Sequence, residues 1–397
     1  MSKRPAQPDV RAMRRGNDTR LAAANFDLAP FTLAWEITRA CALSCLHCRA
    51  DAQPRPDPHE LTTAEAMGII DQIRDLGGPI LVLTGGDPMM RRDLYEILSY
   101  AVQKGLRTAL TPTTTHLVTA KALARVKEAG VRRVAISIDG PSATVHDAFR
   151  GFRGSFHIAS RIARDIVAAG LSLQINTTVS RYNLHLLERM PQMVADLGAV
   201  QWSVFFLVPT GRGRATDMIS AQEHERVFHW LYDLCRQAPY DIKSTAAPAY
   251  RRVVIQRQRE KEHLVAVAGA GYRYRDGLDR PAKGVNDGKG FCFISHIGEV
   301  CPSGFLPLPA GNVRRQSVVD IYRHSPLFHE LRDPTKLKGK CGRCEFRDVC
   351  GGSRARAWAV TGDYLAEDPS CIYQPRRESY AREPTTRELK WPPSRTL

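Results

Sequence analysis

The 397-residue chain contains no apolar run that approaches the roughly 18 residues a membrane helix needs. Its opening stretch, Met1-Ser-Lys-Arg-Pro-Ala-Gln-Pro8, has no apolar core of the kind a secretory signal carries. The expected compartment is therefore the reducing cytoplasm, where clustered cysteines hold metal more often than they form disulfides. Acidic residues are in deficit: 41 Asp and Glu face 57 Lys and Arg, for a net charge of +16. That balance favours an anionic partner. No helix-turn-helix, finger or basic-aromatic ribonucleoprotein pattern is present, which argues against nucleic acid and leaves an anionic small molecule or peptide as the substrate class.

The ten cysteines are unevenly spread. Cys41, Cys45 and Cys48 fall within eight positions, after the β-prone run Phe31-Thr-Leu-Ala-Trp-Glu-Ile-Thr38. One short loop can aim three thiolates at a common centre, and no fourth lies nearby to close the shell. A structural zinc site takes four ligands, as does a purely electron-carrying cluster. Three suit a four-iron cluster that keeps one iron open; three unrelated thiols, or a zinc site completed from elsewhere, are the alternatives.

From Phe31 the chain alternates β-rich runs with helical periodicity, the pattern of βα units around a parallel sheet. Thr62-x-x-Glu65 is a capping box that opens a helix carrying Met67, Ile70, Ile73 and Leu76. Strands are predicted over 80–84, 107–111, 133–138, 172–179 and 200–207, and helices over 94–104, 120–129, 156–169, 184–197 and 223–236. The fold class is α/β: six strand–helix pairs winding right-handed into an open, partial barrel with its site at the C-terminal strand ends. The expected organisation is a disordered basic tail over 1–28, the barrel over 29–236, a bridge over 237–290, a small cysteine-rich domain over 291–375 and a disordered tail over 376–397. In the bridge, Arg251-Arg252, Arg257 and Tyr272-Arg-Tyr-Arg275 mix basic and aromatic residues that could grip a flat anion or could simply be solvated.

Cys41-x3-Cys45-x2-Cys48 after a strand resembles the signature of the radical S-adenosylmethionine (SAM) enzymes, whose three cysteines hold a [4Fe-4S] cluster. The resemblance implies a (β/α)6 core, SAM chelated at the open iron, and a reductant such as flavodoxin or ferredoxin. Reduction then yields a 5′-deoxyadenosyl radical that abstracts hydrogen from substrate. Gly85-Gly86-Asp87-Pro88 is similar to the family's Gly-Gly-Glu-Pro motif, which meets the SAM amino group, with Asp one methylene shorter. Ser137-Ile-Asp139-Gly140 and the following Arg150 resemble the residues that meet the SAM carboxylate and ribose. Asn176 shares one strand face with Gln174 and Thr178 and is the residue expected to hold SAM from the fifth strand. Arg212, in the loop Pro209–Arg214 at the same rim, could clamp a substrate carboxylate or be an ordinary solvated turn.

A second cluster follows. Cys292-x8-Cys301, Cys341-x2-Cys344-x5-Cys350 and Cys371 together resemble the SPASM extension of radical SAM enzymes, which houses auxiliary clusters. The position four residues after Cys350, a cysteine in the full pattern, is Arg354. The resemblance therefore implies one auxiliary [4Fe-4S] cluster on Cys341, Cys344, Cys350 and Cys371, and leaves Cys292 and Cys301 as open candidates. Zinc on the same four thiolates is the structural alternative. The motifs around Cys41–Ala50 and Cys341–Arg356 are similar to the heme and heme d1 branch, whose members modify tetrapyrrole propionates. Arg354 and Arg356 would then meet substrate carboxylates. A peptide maturase and a zinc-bound nucleic-acid or scaffold protein are the competing readings.

Overall fold

The computed structural model describes residues 24–262, 272–273, 279–280 and 284–375. Six parallel strands follow one another in space as in sequence: β1 Thr32–Glu36, β2 Ile80–Thr84, β3 Thr108–Leu110, β4 Arg133–Ser137, β5 Ser172–Val179 and β6 Gln201–Phe206. Helices Thr63–Asp75, Leu94–Gln103, Ala120–Glu128, Ser155–Ala168 and Ala221–Cys235 fall between or after them, as their periodicity predicts. The pleat explains the composition of each strand. In β1, Leu33 and Trp35 are fully buried in the main apolar cluster, while Thr32 and Ala34 line the barrel lumen. In β5, Leu173, Ile175 and Val179 pack outward, and Gln174 and Asn176 face in. The barrel carries its polar face inside.

The capping box is present: the Glu65 amide donates to Thr62 Oγ1 and the Thr62 amide to Glu65 Oε2. The helix predicted over 184–197 is in fact a 3₁₀ segment, Leu184–Arg189, followed by helix Met190–Asp196. Pro191 accounts for the division, since it lacks an amide proton and its ring crowds the preceding turn, so a helix can begin there but not run through.

Three boundaries differ from expectation. First, the bridge opens with elements that continue the barrel: β7 Asp241–Thr245 pairs in parallel with β6, and helix Ala249–Glu262 follows. Asp241-Ile-Lys-Ser-Thr245 hides its strand character because Lys243 and Thr245 face the polar lumen. Second, the cysteine-rich segment is not detached from the barrel. Its β8 Phe291–Ile294 pairs in parallel with β1, and β9 Glu299–Cys301 and β10 Gly311–Asn312 extend the sheet antiparallel. Third, the N-terminal tail ends before Phe26, whose side chain is buried and whose carbonyl accepts from Tyr322 Oη at 2.7 Å and Arg332 Nη1 at 3.2 Å. Residues 1–23 and 376–397, and Tyr274 and Arg275 of the aromatic-basic stretch, lie outside the described residues. Among the described residues no helix is long and apolar enough to cross a membrane.

Candidate active site

The cysteine loop leaves β1 at Ile37 and is pinned to the turn after β2. The Gly86 amide donates to Thr38 O at 2.8 Å and the Asp87 amide to Ala40 O at 2.6 Å. Gly85 and Gly86 are required by this contact, because a Cβ on them would stand 2.5 Å from Thr38 O and 2.4 Å from Ala40 O. The glycines thus seat the loop as well as edging the cavity above it.

That cavity, about 190 Å³, is lined by all three cysteines, His47, Gly85, Gly86, Ser137, Arg150, Asn176 and Thr178, among others. Each sulfur has a donor aimed at it: the Leu43 amide at Cys41 Sγ (3.4 Å), the Ala52 amide at Cys48 Sγ (3.5 Å) and Arg150 Nη1 at Cys45 Sγ (3.7 Å). At Cys41 burial outweighs the donor and raises the thiol. Three sulfurs so placed, around a cavity that contains no fourth, fit a cluster with one open iron, which when bound supplies the chemistry of reductive sulfonium cleavage.

Arg150 is no surface residue. It ends the short helix Ala143–Arg150, and its Nη2 stands 2.6 Å from Asp139 Oδ2. Asp139 is 1% exposed and also accepts from the Thr178 amide at 2.8 Å. Burial pushes the Asp139 carboxyl up, but Arg150 and the neighbouring His47 and His146 outweigh it and hold it below the usual carboxylate range. Asp139 does not line the cavity; it positions Arg150, which does. His47 stacks on Phe149 with ring centroids 3.9 Å apart, and burial lowers it to about 4, so it is neutral.

Four further predicted contacts are relocated. Asp87 is fully buried and absent from the cavity wall. It accepts from the Met89 and Thr113 amides and from Thr115 Oγ1, capping the turn Pro88–Met90. The shorter acid bonds its own loop instead of reaching inward. Arg212 is spent on the cysteine loop, donating to Cys45 O at 2.9 Å and to Asp51 Oδ1 and Ala52 O at 3.1 Å. Arg354 and Arg356, each 1% exposed, are interior. Arg354 donates to the Tyr364 and Ala366 carbonyls and lies 3.6 Å from Cys341 Sγ; Arg356 donates to Ala246 O and pairs with Asp368. None of the four faces either large cavity, because each satisfies backbone that would otherwise be buried without a partner.

Cys341, Cys344, Cys350 and Cys371 are free thiols, and Cys341 lies beside Arg354 at the start of the helix Arg354–Thr361. Burial pushes Cys350 up to about 12, with Cys371 and Cys341 adding to the rise, and Cys341 likewise bears on Cys344 and Cys371. Among the described residues no three of His, Cys, Asp and Glu converge as a single metal ion requires. Cys292 and Cys301 are a different matter. Phe293 is paired with Cys301 across β8 and β9 and so shares its face, while Cys292, one residue away, points to the opposite face and packs in the main core. They do not converge on one centre.

A second cavity, about 290 Å³, fills the lumen behind the first. Six residues wall both: Arg49, Thr84, Thr111, Asn176, Phe205 and Phe305. Three cations, Arg49, Lys243 and Arg251, line it against one acid, Asp287. Sequence reading missed Lys243 and the roles of Glu36 and Arg49; a lone acid ending an apolar strand, at Glu36, was the available signal.

The model of the radical SAM superfamily matches residues 35–190. An AdoMet-dependent heme synthase of Nitratidesulfovibrio vulgaris is 47% identical over 352 residues, 88% of this chain and 94% of that one. The AdoMet-dependent heme synthase of Methanosarcina barkeri is 43% identical over 88% and 98% of the two chains. Among solved structures, Streptococcus suis SuiB bound to S-adenosylmethionine superposes with a TM-score of 0.67 at 15% identity, over 87% of this chain and 78% of that one; it shows the fold.

Proposed function

Because the chain belongs to the radical SAM superfamily and is a radical SAM enzyme, we propose that its substrate is a carboxylated tetrapyrrole and that it acts as a heme synthase, altering propionate side chains. Cys41, Cys45 and Cys48 would hold the [4Fe-4S] cluster, with SAM against Gly85, Gly86, Ser137, Asn176 and Arg150. Bound SAM and cluster supply a 5′-deoxyadenosyl radical; the chain's part is to hold the substrate carbon against it, away from water. Removing hydrogen from the propionate carbon next to the ring, then carbon dioxide and one electron, leaves a vinyl group. The auxiliary site, Cys341, Cys344, Cys350 and Cys371, is suited to take that electron. Asn286 Nδ2 donates to Cys350 O and Gly352 O, and Asn286 itself lines the lumen. A flavodoxin or ferredoxin would deliver the electron that starts each cycle.

The observation that carries this reading is the adjacency of the cysteine cavity to a lumen walled by three cations and one acid. An acidic macrocycle fits that charge, and the aromatic rings of Phe205 and Phe305, 6.3 Å apart, offer it flat apolar surface. The test is anaerobic reconstitution, iron and sulfide counts, and incubation with SAM, dithionite and iron coproporphyrin. The expected products are 5′-deoxyadenosine and a tetrapyrrole that has lost carbon dioxide. Formation of the nucleoside with no change in any tetrapyrrole offered would overturn the substrate.

A further inference from the structure

Arg49 follows the last of the three loop cysteines, and the protein spends several groups on fixing it. Its Nη2 donates to Glu36 Oε2 at 2.9 Å, its guanidinium carbon lies 4.8 Å from the centre of the Phe293 ring, and it rests on the backbone at Gly304. A Cβ at residue 304 would stand 2.9–3.0 Å from the arginine's Cδ, Nε and Cζ, so the glycine makes room for the side chain to lie flat. Stacked on an aromatic ring, tethered by a carboxylate and bedded on a glycine, the guanidinium has little freedom left to lose on binding.

Several charged groups meet at one carboxylate here. Glu36, 1% exposed, is shared by Arg49, by Arg39 at 3.7 Å and by His296 Nδ1 at 2.9 Å. Burial raises the Glu36 carboxyl, but these neighbours, Arg49 first, more than cancel it and keep the acid ionised. Arg39 lines neither cavity and His296 Nε2 also faces Asp57 at 3.6 Å, so Arg49 is the partner of Glu36 that reaches the cavity wall. Of the six residues common to the SAM-side cavity and the lumen, Arg49 alone is charged. Arg251, by contrast, is committed to the Val285 and Val349 carbonyls.

We propose that Arg49 seats the carboxylate of the reacting propionate at the junction of the two cavities, and so selects which side chain is presented for hydrogen abstraction. The inference rests on the tetrapyrrole reading and deepens it. In a propionate, the carbon that loses hydrogen is separated from the carboxylate by a single methylene. A cation that grips the carboxylate must therefore stand close to where the radical emerges, which is the wall shared by the two cavities. A guanidinium already braced by Glu36 and Phe293 can offer its remaining N–H groups to that carboxylate without rearranging.

The experiment titrates reconstituted, SAM-loaded enzyme with iron coproporphyrin and with its tetramethyl ester, following the Soret band. The wild type should bind the acid better than the ester. Arg49→Gln should weaken binding of the acid roughly ten- to a hundredfold and collapse the acid-to-ester preference, while Arg49→Lys keeps part of it. Because Arg49→Gln leaves Glu36 short of a partner, Glu36→Gln/Arg49→Gln removes both charges together, and it should show the same collapsed preference. Variants that bind the acid like the wild type, with the preference intact, overturn the assignment of Arg49 alone. A wild type that binds neither compound overturns the tetrapyrrole reading and this inference with it.

Discussion

The two cysteine sites use similar parts for opposite ends. At the first, three sulfurs edge a cavity of about 190 Å³, and the groups around them, Arg150, His47 and Asn176, stand on the same wall. At the second, none of the four sulfurs lines either large cavity, and the surrounding groups turn inward. Asp368 accepts from the Ser353 and Ser370 amides, and Arg354 reaches the Tyr364 and Ala366 carbonyls and lies against Cys341. An arginine beside a cysteine sulfur occurs at both sites, yet Arg150 is aimed at open space by a buried acid, whereas Arg354 is enclosed by backbone. On the proposed reading, ligand count decides the difference: three thiolates would leave a cluster a vacant valence to present, and four would leave it only electrons to exchange.

The sharpest way to break this comparison is to remove one ligand at each site. Cys45→Ala should reduce 5′-deoxyadenosine formation to background, whereas Cys344→Ala should keep part of it while lowering iron per chain. Equal activity in the two variants, by anaerobic assay and iron count, would erase the distinction. Next in size is Asp139→Asn, which leaves Arg150 charged, buried and without its carboxylate partner. A loss of about 3–5 kcal/mol in stability is expected, with SAM binding weakened as Arg150 loses its aim. Denaturant titration and equilibrium dialysis measure the two, and unaltered SAM affinity in a folded variant would remove Asp139 as the positioning group.

Arg354→Met strips donors from three carbonyls and should cost about 2–4 kcal/mol. Since it lies only at the second site, SAM cleavage without substrate should survive; its disappearance would mean that the sites are not separable. Cys292→Ser tests the two-faced pair. A hydroxyl placed in the main core should lower stability by about 1–3 kcal/mol and leave iron per chain unchanged, and a drop in iron would make Cys292 a ligand after all.

A separate arm of the comparison is pH. His47, His146 and His224 are each lowered to about 4, chiefly by burial, and the Asp139 amide donates to His146 Nδ1, which fixes that ring nitrogen as an acceptor. The unfolded chain titrates these groups near 6.5, so between about 6.5 and 4 it binds more protons than the folded one, and stability falls as pH drops through that window. Melting temperature should therefore decline from pH 7 to 5. A flat profile would mean that the three imidazoles are not held neutral.

Much of the first site is legible in the residues themselves. The spacing of Cys41, Cys45 and Cys48 after an apolar strand, the glycine pair and the alternation of β5 each state a local geometry, and the fold honours all three. Legibility fails where a side chain serves backbone brought near by the fold. Asp87, Arg212, Arg354 and Arg356 read as ligand groups by chemical type alone, and each is claimed by carbonyls, amides or acids, three of them from distant segments. The strand at 241–245 is hidden for a related reason, since a polar lumen removes the apolar alternation that marks a strand.

By itself, then, the sequence determined the class of chemistry and the order of the βα units, because cysteine spacing and hydrophobic period are properties of short segments. Only the tertiary structure decided which charges are free to meet a ligand. That depends on which carbonyls and acids arrive beside each arginine, and they come from parts of the chain as far apart as Glu36 and His296, or Phe206 and Arg356.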